Sequence, residues 1–368
     1  MTGRVIHFPR LPLSSEAGRE AAEKVLATPM LDRYSSAEAL RLEDPETLLA
    51  LCGLLRERRE SSPTSVRDEA EFLYRFIESP RRDIGLFDER EYFLGEFALL
   101  AGTACRHLSR RDEARLWFDR AEAGFRHTIN APGDLSRLGY QRLAERLEER
   151  QLDVVLEMLP PLIESFRSLE MHEDALKCRF LEGLALMETD ELRGAVETFE
   201  QICQEAETLG NARLVATAYA NLTHIHGMMG NAEAAMAASA KAIPVLRRLD
   251  DRVTLAKVQW GLATLLRETG QIAASIEAYR TAQQEFEAIG MRADIAALNL
   301  VVADLLLETG RSREALAEIG AALPVISELK MAPEGMAALS LLRESARRQE
   351  INRQALRELH GYFEELKG

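Results

Sequence analysis

Three bases and three aromatics stand in one repeating register in this chain. Arg137, Lys177 and Lys257 are separated by 40 and 80 residues, and Tyr140, Phe180 and Trp260 by the same two intervals. Each base precedes its aromatic by three residues, a spacing that puts both side chains on one face of a helix, a turn apart. A pair of this kind offers a cation to a carboxylate and a flat apolar surface to a side chain. That is the chemistry of recognising an acidic segment with apolar anchors. Asn221 and His224 add hydrogen-bonding capacity midway, and Thr264 and Arg267 carry the same stripe beyond Trp260. A plainer packing role is also open to these residues: aromatics filling space between neighbouring helices, with long basic stems lying over them.

Catalytic chemistry is thinly represented. His224 and His226 form an HxH pair, with Cys203 and His172 not far away in sequence. On a helix, residues i and i+2 point about 200° apart, so the two imidazoles cannot share one metal ion. His172-Glu173 is not part of an HExxH motif, and neither a phosphate-binding glycine loop nor a GxSxG elbow is present. The paired acids Glu148-Glu149 and Asp250-Asp251 read as solvated turn residues. No enzyme activity, no metal site and no cofactor are expected.

Composition agrees with a binding protein built of helices. The 368 residues are 29% charged and only 6% aromatic, and the formal net charge is −14. That charge disfavours nucleic-acid binding by the surface as a whole. Cys52, Cys105, Cys178 and Cys203 form no CxxC pair and read as buried and reduced. No apolar leader opens the chain and no apolar run is long enough to span a bilayer, so a cytoplasmic location is expected.

What positions the stripe is a period. Arg150, Asp190, Gly230, Gly270, Gly310 and Glu350 stand 40 apart, as do Leu169, Leu209, Leu249, Ile289 and Leu329. A period of this length marks stacked helical units. Each unit reads as an amphipathic helix, a tight turn and a second helix that begins with a small inward residue. The small residues recur where two helices must approach closely: Gly102, Gly183, Ala263 and Ala303 on the first helix, then Ala195, Ala235, Ser275 and Ala315, and Ala242, Ala282 and Ala322, on the second. Before this array, Asp44-Pro45-Glu46 predicts a helix start, and Ser65 with Asp68 predicts a capping box for the helix holding Phe72, Leu73, Phe76 and Ile77. Pro244 and Pro324 share one phase and are expected to bend their helices without ending them.

With these small residues and turn glycines, the stretch from 87 to 366 resembles the tetratricopeptide repeat (TPR), here in an extended 40-residue form like that of MalT-type regulators, Rap-type peptide-responsive proteins and polarity scaffolds. The resemblance implies an all-α, right-handed α-solenoid of antiparallel helix pairs, a TPR-like superhelix. The expected organisation is an extended tail over 1–13, a helical N-terminal cap over 14–84 and about seven repeats over 85–368. It also implies a concave groove lined by Arg137, Tyr140, Lys177, Phe180, Asn221, His224, Lys257, Trp260, Thr264 and Arg267. The implied function is a non-catalytic scaffold or adaptor that binds a protein or peptide partner. A peptide- or metabolite-responsive sensor acting on a separate effector, or a positioning subunit of a larger enzyme, are the alternatives. No nucleic acid and no membrane are expected as direct partners.

Overall fold

The computed structural model describes residues 15–59, 62–79 and 87–329, with 331, 335, 337–338 and 340–341. The tail expected at 1–13, the end of the cap expected at 84 and the period's Glu350 lie outside the described residues. All regular structure among the described residues is α-helical. The chain divides into two compact units, Met1–Ala185 and Leu186–Gly368.

The first unit holds α1 (Glu16–Ala27), α2 (Met30–Arg33), α3 (Pro45–Arg58), α4 (Pro63–Glu78), α5 (Phe87–His107), α6 (Arg111–Phe125), α7 (Ala131–Glu148), α8 (Leu152–Ser168) and most of α9 (His172–Glu188). Asp44 caps α3 as its sequence predicts, accepting from the Glu46 amide at 3.4 Å with Pro45 at the first helical position. The expected box at Ser65 is corrected. Helix α4 starts three residues earlier, at Pro63 behind the N-cap Ser62, because proline's fixed φ suits the first turn. Asp68 instead meets its neighbour Arg67. One apolar core joins Leu48, Leu51, Phe76, Phe93, Phe97, Phe118 and Phe125, all buried.

The second unit holds α10 (Leu192–Thr208), α11 (Ala212–Met228), α12 (Ala232–Arg248), α13 (Arg252–Glu268), α14 (Ile272–Ala288), α15 (Arg292–Glu308) and α16 (Ser312–Glu328). Each is 17 residues long, so three linking residues complete a step half the sequence period. At every turn one residue takes a left-handed conformation: Gly210, Gly230, Gly270, Gly290 and Gly310, and also Asp190 and Asp250. The same geometry occurs in the first unit at Ser109, Arg150 and Glu170. The amide of Gly230 donates to Gly227 O and that of Asn231 to His226 O, both at 2.9 Å. This pair of hydrogen bonds satisfies carbonyls that a helix end otherwise leaves open. Asn211, Asn231 and Asp251 follow directly and cap the next helix through their side chains.

The small residues sit at the closest approaches. Ala195, Ala235, Ser275 and Ala315 have no exposed surface, and Ser275 Oγ donates across its hairpin to Ala263 O at 2.7 Å. A Cβ at Gly102 would stand 2.6 Å from Phe118 Cδ1. Helices α12 and α16 run through Pro244 and Pro324, as α8 does through Pro160 and Pro161.

Candidate functional site

In the first unit the stripe falls on α7 and α9. Tyr140 is half-buried against the cluster of Leu143, Ala175, Cys178 and Leu181. Phe180 is also half-buried. Lys177 is exposed, its Nζ 2.8 Å from Asp174 Oδ1. Arg137 is placed differently. Its guanidinium is held by Glu96, which Arg56 grips from α3, and by Asp134 at 3.3 Å. Glu96 has no exposed surface. Burial alone would raise its pKa, but the two guanidiniums win and hold it at about 2. Asp134 goes the other way. Burial pushes it up to about 6 against the pull of Arg137. Arg137 therefore ties α3, α5 and α7 together through a buried carboxylate, where its sequence register alone suggests a base open to ligand. Sequence reasoning missed Arg56 and Asp134. One signal was available: Glu96 is the only charge between Phe93 and Cys105 in α5.

In the second unit the stripe falls on α11 and α13, which pack together. Asn221 is half-buried, with its Nδ2 donating to Thr217 O at 2.8 Å, and His224 is exposed. Trp260 is half-buried and meets Phe286 edge-on at 6.1 Å. Thr264 Oγ1 contacts Trp260 O at 3.2 Å and the buried Tyr279 hydroxyl at 2.9 Å. Arg267 Nη2 reaches Asp304 at 2.6 Å and Glu308 at 3.3 Å on α15. Arg213 on α11 is neutralised by Asp251 at 3.0 Å. Lys257 is exposed and makes no ion pair among the described residues. It is one turn from Trp260, so this face combines one uncompensated cation with one partly open indole.

The cysteines are buried, and burial pushes Cys105 up to about 11 and Cys178 and Cys203 up to about 12, far from a thiolate nucleophile. His224 points outward while His226 is half-buried, its enclosed Nδ1 lacking a hydrogen-bond partner. Among the described residues no cluster of three His, Cys, Asp or Glu could hold a metal ion, and no helix is long and apolar enough to cross a membrane.

Comparison with known proteins bears on the architecture. Residues 186–319 match the family model of SNAP, the soluble NSF attachment protein. Three solved structures align over nearly the whole chain. Aspartyl phosphate phosphatase F from Bacillus subtilis is 13% identical with a TM-score of 0.58, covering 100% of this chain and 95% of its own. A Rap protein complexed with competence and sporulation factor is 16% identical with a TM-score of 0.56, covering 95% and 98%. The Rap conjugation gene regulator of plasmid pLS20, in complex with the Phr* peptide, is 14% identical with a TM-score of 0.54, covering 95% and 94%. No curated protein sequence matches the chain. The chain has the TPR-like helical-repeat fold. In that fold the stripe residues of α7, α9, α11 and α13 all belong to the first helix of a TPR-like pair, and the turns at Arg150, Asp190, Gly230, Gly270 and Gly310 separate first helices from second.

Proposed function

We propose that this TPR-like protein is a non-catalytic binding protein that recognises a peptide or an extended segment of a partner protein. The observation that carries this reading is the face of α13. Lys257 keeps an unpaired charge beside Trp260, while Arg267 on the same stripe and Arg213 on α11 are paired with acids. A ligand carboxylate would meet Lys257, and an apolar side chain would lie on Trp260, with His224, Asn221 and Thr264 supplying hydrogen bonds. Tyr140, Lys177 and Phe180 give the first unit a similar set of groups. Arg137 and Arg267 support the walls rather than steer the ligand. Two of the structurally similar proteins are in complex with competence and sporulation factor and with the Phr* peptide, which favours a peptide as the occupant.

The likeness to a gene regulator in complex with a peptide favours a second reading, in which ligand binding changes the protein's grip on a separate effector. Affinity capture from the native lysate tests the first, with wild type beside Lys257→Glu and Trp260→Ala. A partner held by wild type and lost by the folded Lys257→Glu protein is the expected result. Equal retention by all three would move the interaction off this face. Ligand-dependent compaction in small-angle scattering would select the sensor over a passive adaptor.

A further inference from the structure

The first unit carries a second concavity, apart from the stripe, in the crease between α6 and α7. It encloses about 260 Å³. This is smaller than the roughly 300–1,000 Å³ of drug-sized sites and suits a single small molecule. Phe118 contributes an apolar wall, and three guanidiniums face three carboxylates around it.

The charges are not equally committed. Arg142 donates to Asp119 and Glu122, each at 2.8 Å. Arg146 is exposed, and its hydrogen-bond partner is neutral, Gln151 Oε1 at 2.8 Å. Glu145 is 95% buried (5% exposed), and its enclosed Oε1 has no hydrogen bond of acceptable direction. Arg115 Nε does lie 3.0 Å from that oxygen, so the charge is paired while the acceptor is not used in line. Burial raises the Glu145 pKa, and Arg115 only partly opposes it. A buried acceptor left in this way is costly, and a well-placed N–H donor would recover that free energy. Arg115 is a half-exposed side chain, able to turn aside for such a donor.

We infer that this crease binds a free α-amino acid, its ammonium taking the place of Arg115 on Glu145 and its carboxylate meeting Arg146. Glu145 and Arg146 both line this one small crease, so a ligand that meets both must carry a cation and an anion a short span apart, as an α-amino acid does. The ligand side chain would lie against Phe118. The bound state keeps charge balance, because a zwitterion enters and Arg115, displaced from Glu145, keeps its contact with Glu149.

Isothermal titration of the full chain with each standard α-amino acid, up to about 10 mM to reach millimolar affinities, tests this. At least one should bind. Its N-acetyl and amide derivatives, and the variant Arg146→Gln, should each bind about tenfold more weakly or worse, as expected for loss of a charge-assisted hydrogen bond. Glu145→Gln should lose binding while retaining the wild-type circular dichroism spectrum. If Glu145→Gln fails to fold, Arg146→Gln decides, since Arg146 is exposed and outside the core. Absence of binding by every amino acid would overturn the inference. So would binding that Arg146→Gln and the derivatives leave unchanged.

Discussion

At the scale of single residues, the Glu96 cluster is the most consequential feature the sequence does not announce. Arg56 and Arg137 lie 40 and 41 positions away on opposite sides, so no local pattern links them to Glu96. Arg137 looks like a groove base because its register with Lys177 and Lys257 is perfect, and register carries no information about a buried partner from another helix. Replacing Glu96 by Gln would leave two guanidiniums facing each other without their anion, at a cost of about 3–5 kcal/mol. Chemical denaturation with a binding-independent probe would read this directly. Glu96 and Asp134 also shape acid stability in opposite senses. Glu96 has its folded pKa lowered from 4.5 to about 2, so its contribution is complete above 4.5 and is lost as pH falls toward 2. Asp134 is raised from 3.8 to about 6, so the fold favours its protonated form. Its contribution is present below 3.8 and is lost as pH rises through about 6. The shift is equivalent to about 3 kcal/mol. Asp134→Asn, which keeps an acceptor for Thr128 without the charge, should therefore raise the melting temperature at about pH 8 and flatten the stability curve between about pH 4 and 6. Melts across that window showing no gain at the alkaline end would refute this account of Asp134.

At the scale of the element, most of the architecture was legible because turn chemistry repeats. Glycines at Gly230, Gly270 and Gly310 announce left-handed turns, and the structure places such a residue at each. The leucine phase at Leu169, Leu209, Leu249 and Leu329 marks the C-caps of every second helix. The finer step was hidden where the left-handed residue is not glycine, as at Glu170 and Asp250, because charged residues there look like ordinary solvated turns. Those positions are strained and predict opposite substitutions. Glu170→Gly should stabilise by about 0.5–1 kcal/mol, and Gly230→Ala should destabilise by about 1 kcal/mol, since a Cβ in the left-handed region meets the following carbonyl. The capping of α4 was misread because Ser65 and Asp68 have box spacing, whereas Pro63 fixes the start earlier. Helix approach gives a third test. Gly102→Ala would press a Cβ on the fully buried Phe118 ring and should cost about 1–3 kcal/mol by thermal denaturation, whereas Gly261→Ala, whose Cβ meets nothing within 4 Å, should not destabilise. Equal effects at the two sites would mean that close packing is not what selects glycine at position 102.

At the scale of the whole molecule, the net charge of −14 and the uncompensated Lys257 make conflicting demands on an acidic ligand. Repulsion by the whole chain acts over the distance that salt allows, about 30 Å at 0.01 M and about 10 Å at 0.1 M. Attraction by Lys257 acts at contact and survives until screening falls to about 3 Å, near 1 M. The two terms are therefore removed at different salt concentrations. The association rate of an acidic ligand should rise as salt goes from about 0.01 to 0.1 M, because long-range repulsion is screened first. Affinity should then fall toward about 1 M as the Lys257 contact weakens. A basic ligand would show no rise, since the net charge would attract it at every distance and salt would only slow it. Stopped-flow association of the captured partner segment over this range separates the cases, and Lys257→Glu should abolish the high-salt decline while preserving the low-salt rise. A monotonic fall with wild-type protein would place the dominant contact on the acidic surface instead of on α13. A rise that persists to high salt in wild type would leave Trp260 as the anchor and remove Lys257 from the interaction.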